Sequence, residues 1–220
     1  DSGHSVRTIY IGGGTPTTLS APQMERLMKG ISDNLDLSRC IEFTVEGGRP
    51  DTLDEEKLRT IYRCGADRIS INPQTMEDHV LRACGRPHTA QDVLRAYKEA
   101  EDAGFKAINM DLIAGLPGDT YDGFADTLDK ILSLDPESIT VHTLSMKRAS
   151  NIMLQHRPDF GVEDDAVRMV RLSAQQLPMH GYAPYYLYRQ SRTVGNQENV
   201  GWSKPGCEGL YNVYIMDETH

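Results

Sequence analysis

A glycine run and four polar side chains carry the chemical promise of this sequence. Thr8-Ile9-Tyr10-Ile11 leads straight into Gly12-Gly13-Gly14-Thr15-Pro16. A strand that ends in glycine presents bare backbone N–H and C=O groups, and glycine lets a ligand approach them closely. In parallel α/β folds that strand tip is where ligands bind. Glu46, Gln74 and Asp111 fall at or near the ends of successive later strands. A carboxylate, an amide and a second carboxylate suit hydroxyl and ammonium groups. Arg86, in Gly85-Arg86-Pro87-His88, precedes a helix start, where a guanidinium can clamp a carboxylate with two hydrogen bonds. Taken singly, each has a plainer reading. Glu46 suits pairing with Arg68, Arg86 suits solvated surface, and Asp111 suits bracing a loop. Asp111-Leu112-Ile113-Ala114-Gly115-Leu116-Pro117-Gly118 repeats the order of strand, glycine and turn, which a simple βα turn also explains.

The elements that must position these groups follow from periodicity. Apolar-alternating runs lie near 8–12, 41–46, 68–73, 106–113, 138–144 and 183–188. Helical patterns separate them. Ser20 with Gln23 fits a capping box ahead of Met24, Leu27, Met28, Ile31 and Leu35. Thr52 with Glu55 fits another ahead of Leu58, Ile61 and Tyr62, with Gly65 as the stop. Val93, Tyr97 and Ala100 form the next face and end at Gly104. Thr120 caps the helix carrying Phe124, Leu128, Ile131 and Leu132. Val167, Val170, Ala174 and Leu177 form the last face. Repeated βα units imply parallel strands with right-handed crossovers.

The strands alternate where doubly covered parallel strands usually read as continuous apolar runs. Ile69 and Ile71 alternate with Ser70 and Asn72; Ile108, Met110 and Leu112 alternate with Asn109 and Asp111; Ile139 and Val141 alternate with Thr140 and His142. One face is apolar and meets helices; the other is polar. Either the polar groups satisfy one another, or the concave side of a curved sheet holds a polar ligand. The expected architecture is α/β, an open partial (β/α)6 TIM-like barrel of parallel strands with outer helices. Its core is expected over 1–190, with a C-terminal extension over 191–220.

Composition narrows the function. A net charge of -9 over 220 residues argues against nucleic acid as a partner. No apolar run approaches membrane length. Cys40, Cys64, Cys84 and Cys207 lie far apart, without metal-ligand spacing. Cys64 and Cys84, near expected helix ends, read as free thiols of a reducing cytoplasm, and all four read as structural or incidental. The opening Asp1-Ser2-Gly3-His4 has the character of mid-protein sequence.

The GGGTP strand, Glu46, Gln74, the Gly85-Arg86 pair with His88 and Thr89, and DLIAGLP occur in one order over nearly the whole chain. In that order they resemble the radical S-adenosylmethionine family of oxygen-independent coproporphyrinogen III oxidases, whose relatives include heme chaperones. Pro184-Tyr185-Tyr186-Leu187-Tyr188-Arg189-Gln190 and Glu198-Asn199-Val200-Gly201-Trp202 most resemble the coproporphyrinogen dehydrogenase subgroup of Bacillus- and Clostridium-type bacteria. The resemblance implies S-adenosylmethionine and a [4Fe-4S] cluster as cofactors. It implies that Gly13, Gly14 and Thr15 meet the methionine amino group, with Glu46 beside it. Gln74 and Asp111 would contact ribose hydroxyls, and Arg86 the methionine carboxylate. The family's C-x-x-x-C-x-x-C cluster loop lies before the glycine run. Its ligands are therefore expected upstream of residue 1, in a first βα unit that this chain lacks. Two departures stand out: Glu46-Gly47-Gly48-Arg49-Pro50 is one residue longer than the common form, and Pro73 replaces a small residue.

The implied reaction is oxidative decarboxylation of coproporphyrinogen III propionates to vinyl groups by a 5′-deoxyadenosyl radical, with an external electron donor or acceptor. Lys147, Arg148, Arg189 and Arg192 are basic residues near late strand ends that suit a polyanionic porphyrinogen, or are simply solvated. His142, on the polar face, suits substrate contact or a hydrogen-bonded structural role. Two alternatives stay open: a heme-binding or heme-delivery protein on the same scaffold, and an adenosine-binding barrel without a cluster.

Overall fold

The structure, a computed structural model, describes residues 5–144, 160–189 and 197–217. In chain order its elements are β1 (Thr8–Ile11), α1 (Ala21–Asn34), β2 (Glu42–Gly48), α2 (Glu55–Arg63), β3 (Arg68–Gln74), α3 (Asp78–Ala83) and α4 (Ala90–Ala103). These are followed by β4 (Ala107–Ala114), α5 (Tyr121–Leu134), β5 (Ser138–Thr143), α6 (Phe160–Met179), β6 (Ala183–Tyr188), β7 (Asn199–Ser203) and α7 (Leu210–Met216). Short 3-10 turns, Pro16–Thr18 and Pro50–Thr52, follow β1 and β2.

All six alternating runs are strands, hydrogen-bonded in the order β1-β2-β3-β4-β5-β7-β6. Strand β1 is parallel to β2, and β2 to β3. Strand β7 has no counterpart among the expected runs. It inserts antiparallel between β5 and β6, so β6 keeps the direction of β5. Its sequence, Asn199-Val200-Gly201-Trp202-Ser203, is short and interrupted by glycine, which hides its period. Chain contacts divide the molecule into two compact units. Unit 1 is residues 1–72, 91–109 and 209–220; unit 2 is residues 73–90 and 110–208.

In unit 1, Met24, Met28, Val45, Leu58, Ile61 and Ile71 are fully buried. Helix α1 starts as expected: the Ser20 N–H donates to Gln23 Oε1 at 2.9 Å. Helix α2 does not use Thr52. Asp54 is its N-cap and accepts from the Lys57 N–H at 2.8 Å. Thr52 lies in the preceding turn, where its hydroxyl donates to the Arg49 carbonyl at 2.8 Å.

Glu42 ties the start of β2 to the end of the chain. It is 4% exposed, and its carboxylate accepts from the backbone N–H groups of Leu210 (2.7 Å) and Tyr211 (3.0 Å) at the start of α7. The Arg68 guanidinium lies 3.7 Å away, and Tyr211 stacks on Tyr10 with ring centroids 4.7 Å apart. An acidic group at a helix start satisfies orphan donors and favours the helix dipole.

In unit 2, Leu112, Phe124, Leu128 and Ile131 are fully buried. Thr120 caps α5 as expected, accepting from the Gly123 N–H at 3.0 Å. The buried face of α6 is offset from the expected valine stripe: Ala166, Met169, Ser173 and Leu177 are buried, and Ala174 is exposed. Small and soft side chains suit the close approach to the Gly115 turn. A Cβ on Gly115 would lie 2.9 Å from the Ala166 methyl, and the Gly115 N–H donates to Met169 Sδ at 3.3 Å.

Glu42→Ala should destabilise the fold by about 2 kcal/mol, because it removes the acceptor of two helix-start donors and the carboxylate beside Arg68. Chemical denaturation measures the loss, and amide exchange over residues 210–216 should rise with it.

Candidate functional site

Unit 1 contributes the glycine run. Gly13 and Gly14 have φ of +88° and +63°, in the left-handed region, and a Cβ on either would meet nothing within 4 Å. Their glycine requirement is conformational, and the space beside them is open. The Gly13 N–H donates to Glu46 Oε2 at 3.1 Å. Glu46 is half-buried, and the other carboxylate oxygen has no hydrogen-bond or ion-pair partner among the described residues. Glu46 therefore meets the glycine loop, while Arg68 lies against Glu42.

The extra residue in Glu46-Gly47-Gly48 forms a β-bulge. Glu46 pairs with Ser70, but Gly48, two residues on, pairs with Ile71. Gly47 sits so close to β3 that a Cβ would fall 2.7 Å from the Ser70 carbonyl oxygen. A buried polar knot holds the bulge and the glycine loop together. Thr17 Oγ1 donates to the Gly47 carbonyl at 2.5 Å and lies 2.6 Å from Thr52 Oγ1. The ammonium of Lys57, 8% exposed, donates to the Thr17 and Thr52 carbonyls at 2.6 Å each. Sequence periodicity gave no sign of this knot, since Lys57 reads as the exposed side of a helix.

Part of the polar face does satisfy itself. Asn109 Nδ2 donates to Ser70 Oγ at 3.0 Å, and Ser70 Oγ donates to Asn72 Oδ1 at 2.9 Å.

Unit 2 contributes Gln74, Arg86 and Asp111. Gln74 has φ of +70°, a strained conformation for a side chain of this type, and is 9% exposed. Its Oε1 is buried without a hydrogen-bond partner. The half-buried Arg86 guanidinium has no ion-pair partner among the described residues. A strained residue with an unsatisfied buried acceptor and a cation without an ion-pair partner are groups whose chemistry suits a polar ligand. Asp111 Oδ2 lies 3.8 Å from His142 Nε2. His142 Nδ1 in turn lies 3.1 Å from the Tyr188 hydroxyl. Tyr186 stacks on Tyr188 (6.3 Å, 5°) and lies 3.3 Å from Thr140 Oγ1. Burial, then the nearby Asp111 charge, push the Tyr188 phenol above its ordinary value, so it stays protonated. Burial raises the Tyr186 phenol in the same way.

Arg189 pairs with Glu198 at 3.0 Å on the surface. Lys147, Arg148 and Arg192 lie outside the described residues. Sequence reasoning passed over Tyr188, because a run of four tyrosines in seven residues reads as core. Among the described residues no three His, Cys, Asp or Glu side chains are grouped to hold a metal.

The turn after β4 holds a half-buried acid. Asp119 Oδ1 accepts from the Thr120 N–H at 2.8 Å, while Oδ2 is buried without a partner. Burial raises its pKa more than that hydrogen bond lowers it. A carboxyl raised in the folded state costs stability once it ionises. Asp119→Asn should therefore match wild type at acid pH and become the more stable protein as pH rises through the carboxylate range. Thermal melts across pH check this; a constant difference at all pH values would contradict it.

Three comparisons bear on this geometry. The family model described as "Radical SAM superfamily" matches residues 2–131. The chain is 45% identical, over 97% of its length, to "Oxygen-independent coproporphyrinogen-III oxidase-like protein HemZ" of Bacillus subtilis, covering 43% of that protein. It is 35% identical over 94% of its length to "Heme chaperone HemW" of the same species, covering 52% of it. The chain thus spans about half the length of the curated relatives it matches. The coproporphyrinogen III oxidase HemN of Escherichia coli superposes over 98% of this chain and 46% of that one, with a TM-score of 0.76 at 23% identity. That likeness shows the fold, the TIM-like partial barrel of mostly parallel strands expected from the alternating sequence. Proteins of the matched family use S-adenosylmethionine and a [4Fe-4S] cluster. With the glycine-tipped strand, the strained Gln74 and the family match in agreement, the chain belongs to the radical S-adenosylmethionine superfamily.

Proposed function

We propose that this chain is the S-adenosylmethionine-binding part of an oxygen-independent porphyrinogen decarboxylase. The observation that carries the binding assignment is Gln74, buried at a left-handed backbone angle with an unsatisfied oxygen. A buried acceptor without a donor is costly unless a ligand supplies one. Taken unit by unit, the other groups have chemistry that suits parts of an amino-acid zwitterion joined to a nucleoside. Arg86 offers a fork for the carboxylate. Glu46 and the carbonyls beside Gly13, Gly14 and Thr15 offer acceptors for the ammonium. Asp111 and Gln74 offer an acceptor pair for the ribose diol.

The cluster and S-adenosylmethionine, when bound, supply the one-electron chemistry that begins hydrogen abstraction. The described residues hold no cysteine set for the cluster, so the reading takes its ligands from elsewhere. The chain's own work is to orient and to exclude water. Fixed backbone and short side chains set the position of the ligand, and no side-chain nucleophile is required. The porphyrinogen assignment is supported by the 45% identity to the oxidase-like relative.

Similarity to a heme chaperone at 35% identity favours a second reading, heme delivery on the same scaffold. Anaerobic turnover separates them. With coproporphyrinogen III, S-adenosylmethionine and a reductant, the full-length protein carrying the cluster ligands, after cluster reconstitution, should release carbon dioxide and form vinyl product. Heme uptake with no vinyl product would replace the first reading by the second. The 220 residues expressed alone should show no iron–sulfur absorbance after reconstitution, and a brown preparation would contradict the assignment of the ligands.

A further inference from the structure

Within unit 2 a chain of three side chains leads from β6 to the carboxylate of β4. Tyr188, near the end of β6, puts its hydroxyl 3.1 Å from His142 Nδ1 on β5. The other ring nitrogen, Nε2, lies 3.8 Å from Asp111 Oδ2. The rings of His142 and Tyr188 meet edge to face, with centroids 6.3 Å apart. Tyr188 is itself held: it stacks on Tyr186, and the β6–β7 register sets it opposite the fully buried Asn199. Asn199 spends its carbonyl on the Thr143 N–H at 2.7 Å, one residue beyond His142.

We propose that Tyr188 and His142 are positioning residues for Asp111, fixing the carboxylate that receives the ribose diol. The Tyr188 hydroxyl donates to Nδ1. The imidazole then carries a proton on Nε2 and turns that N–H toward Asp111 Oδ2. One carboxylate oxygen is thereby oriented through the imidazole. A histidine oriented by a second group is the usual way to select one tautomer. The 3.8 Å separation closes to a hydrogen bond by a small side-chain rotation, as polar contacts in ligand-free sites do when the ligand binds. Neither Tyr188 nor His142 touches S-adenosylmethionine in this arrangement. They act through Asp111, and they do so from the strands that would face the substrate. The inference rests on the assignment of Asp111 to the ribose diol.

The test compares Asp111→Ala, His142→Phe, Tyr188→Phe and the His142→Phe/Tyr188→Phe double variant in the cluster-reconstituted protein. Affinity for S-adenosylmethionine is read by equilibrium dialysis. Asp111→Ala should weaken binding by about tenfold or more, as loss of a hydrogen bond to a charged group does. Each of the other single variants should weaken it about fivefold, and the double variant no more than His142→Phe alone, since the residues act in series. A merely structural role would not move the second readout. Nitrogen-15 spectra of labelled histidine should show His142 as the Nε2–H tautomer in wild type and a tautomer mixture in Tyr188→Phe. Wild-type affinity in Tyr188→Phe and His142→Phe, with Asp111→Ala weakened, overturns the positioning role and leaves the diol assignment standing. Wild-type affinity in Asp111→Ala overturns the diol assignment and the inference with it. An Nδ1–H tautomer in wild type overturns the inference even if a variant fails to fold.

Discussion

A polar sheet face has to find a partner for every group it buries, and that requirement organises this molecule. Ser70, Asn72 and Asn109 satisfy one another within unit 1. Glu42 is satisfied by the start of α7, with Arg68 close by. Among the described residues a few buried polar atoms keep no hydrogen-bond partner, on His88, Asp119, Ser138, Thr143 and Asn199 as well as Gln74, and of these residues Gln74 combines the unsatisfied oxygen with a left-handed backbone angle. Arg86 has no ion-pair partner among the described residues. An unpartnered buried acceptor costs about 1–3 kcal/mol. That cost beside strained backbone is the observation on which the proposed ligand site rests.

The glycine loop meets the same requirement differently. A loop that exposes its backbone to a ligand cannot also be held by strand pairing. It is held from beneath. Lys57 joins the turn after the glycine run to the turn after the bulge by two hydrogen bonds to carbonyls. Thr17 reaches from the same turn to Gly47. The bulge itself lets two residues of β2 oppose one of β3, so that Glu46 faces Gly13 while Gly48 rejoins the ladder. The extra residue noted in the sequence is therefore the device that aims Glu46.

Much of this was legible in the sequence, and the parts that were not have physical reasons. Long periodic segments gave the six strands and most of the helix faces of α1, α2, α4 and α5, although Leu27, Leu35 and Tyr62, expected on those faces, are exposed. The Ser20 and Thr120 starts followed from local side-chain chemistry, which is encoded within four residues. The start of α2 moved from the expected Thr52 to Asp54 because the buried knot recruits Thr52. The face of α6 was displaced by one residue because its partner is the close-packed Gly115 turn, which selects Ala166 and Met169 over valine. Strand β7 was hidden by its length and its glycine. Among the site residues, Gln74, Arg86 and Asp111 stood out by their places at strand ends and turns. Nothing local marked the alignment of Tyr188, His142 and Asp111, because it joins three strands up to 77 positions apart in sequence.

The central claim is that Arg86, Gln74 and Asp111 together receive the methionine carboxylate and ribose of S-adenosylmethionine. A crystal structure of the cluster-reconstituted protein grown with S-adenosylmethionine tests it most directly. The carboxylate should lie in the fork of Arg86, with the ribose hydroxyls on Asp111 and the formerly unsatisfied oxygen of Gln74. S-adenosylmethionine bound elsewhere, with Gln74 still unpartnered and Arg86 in solvent, would contradict the claim.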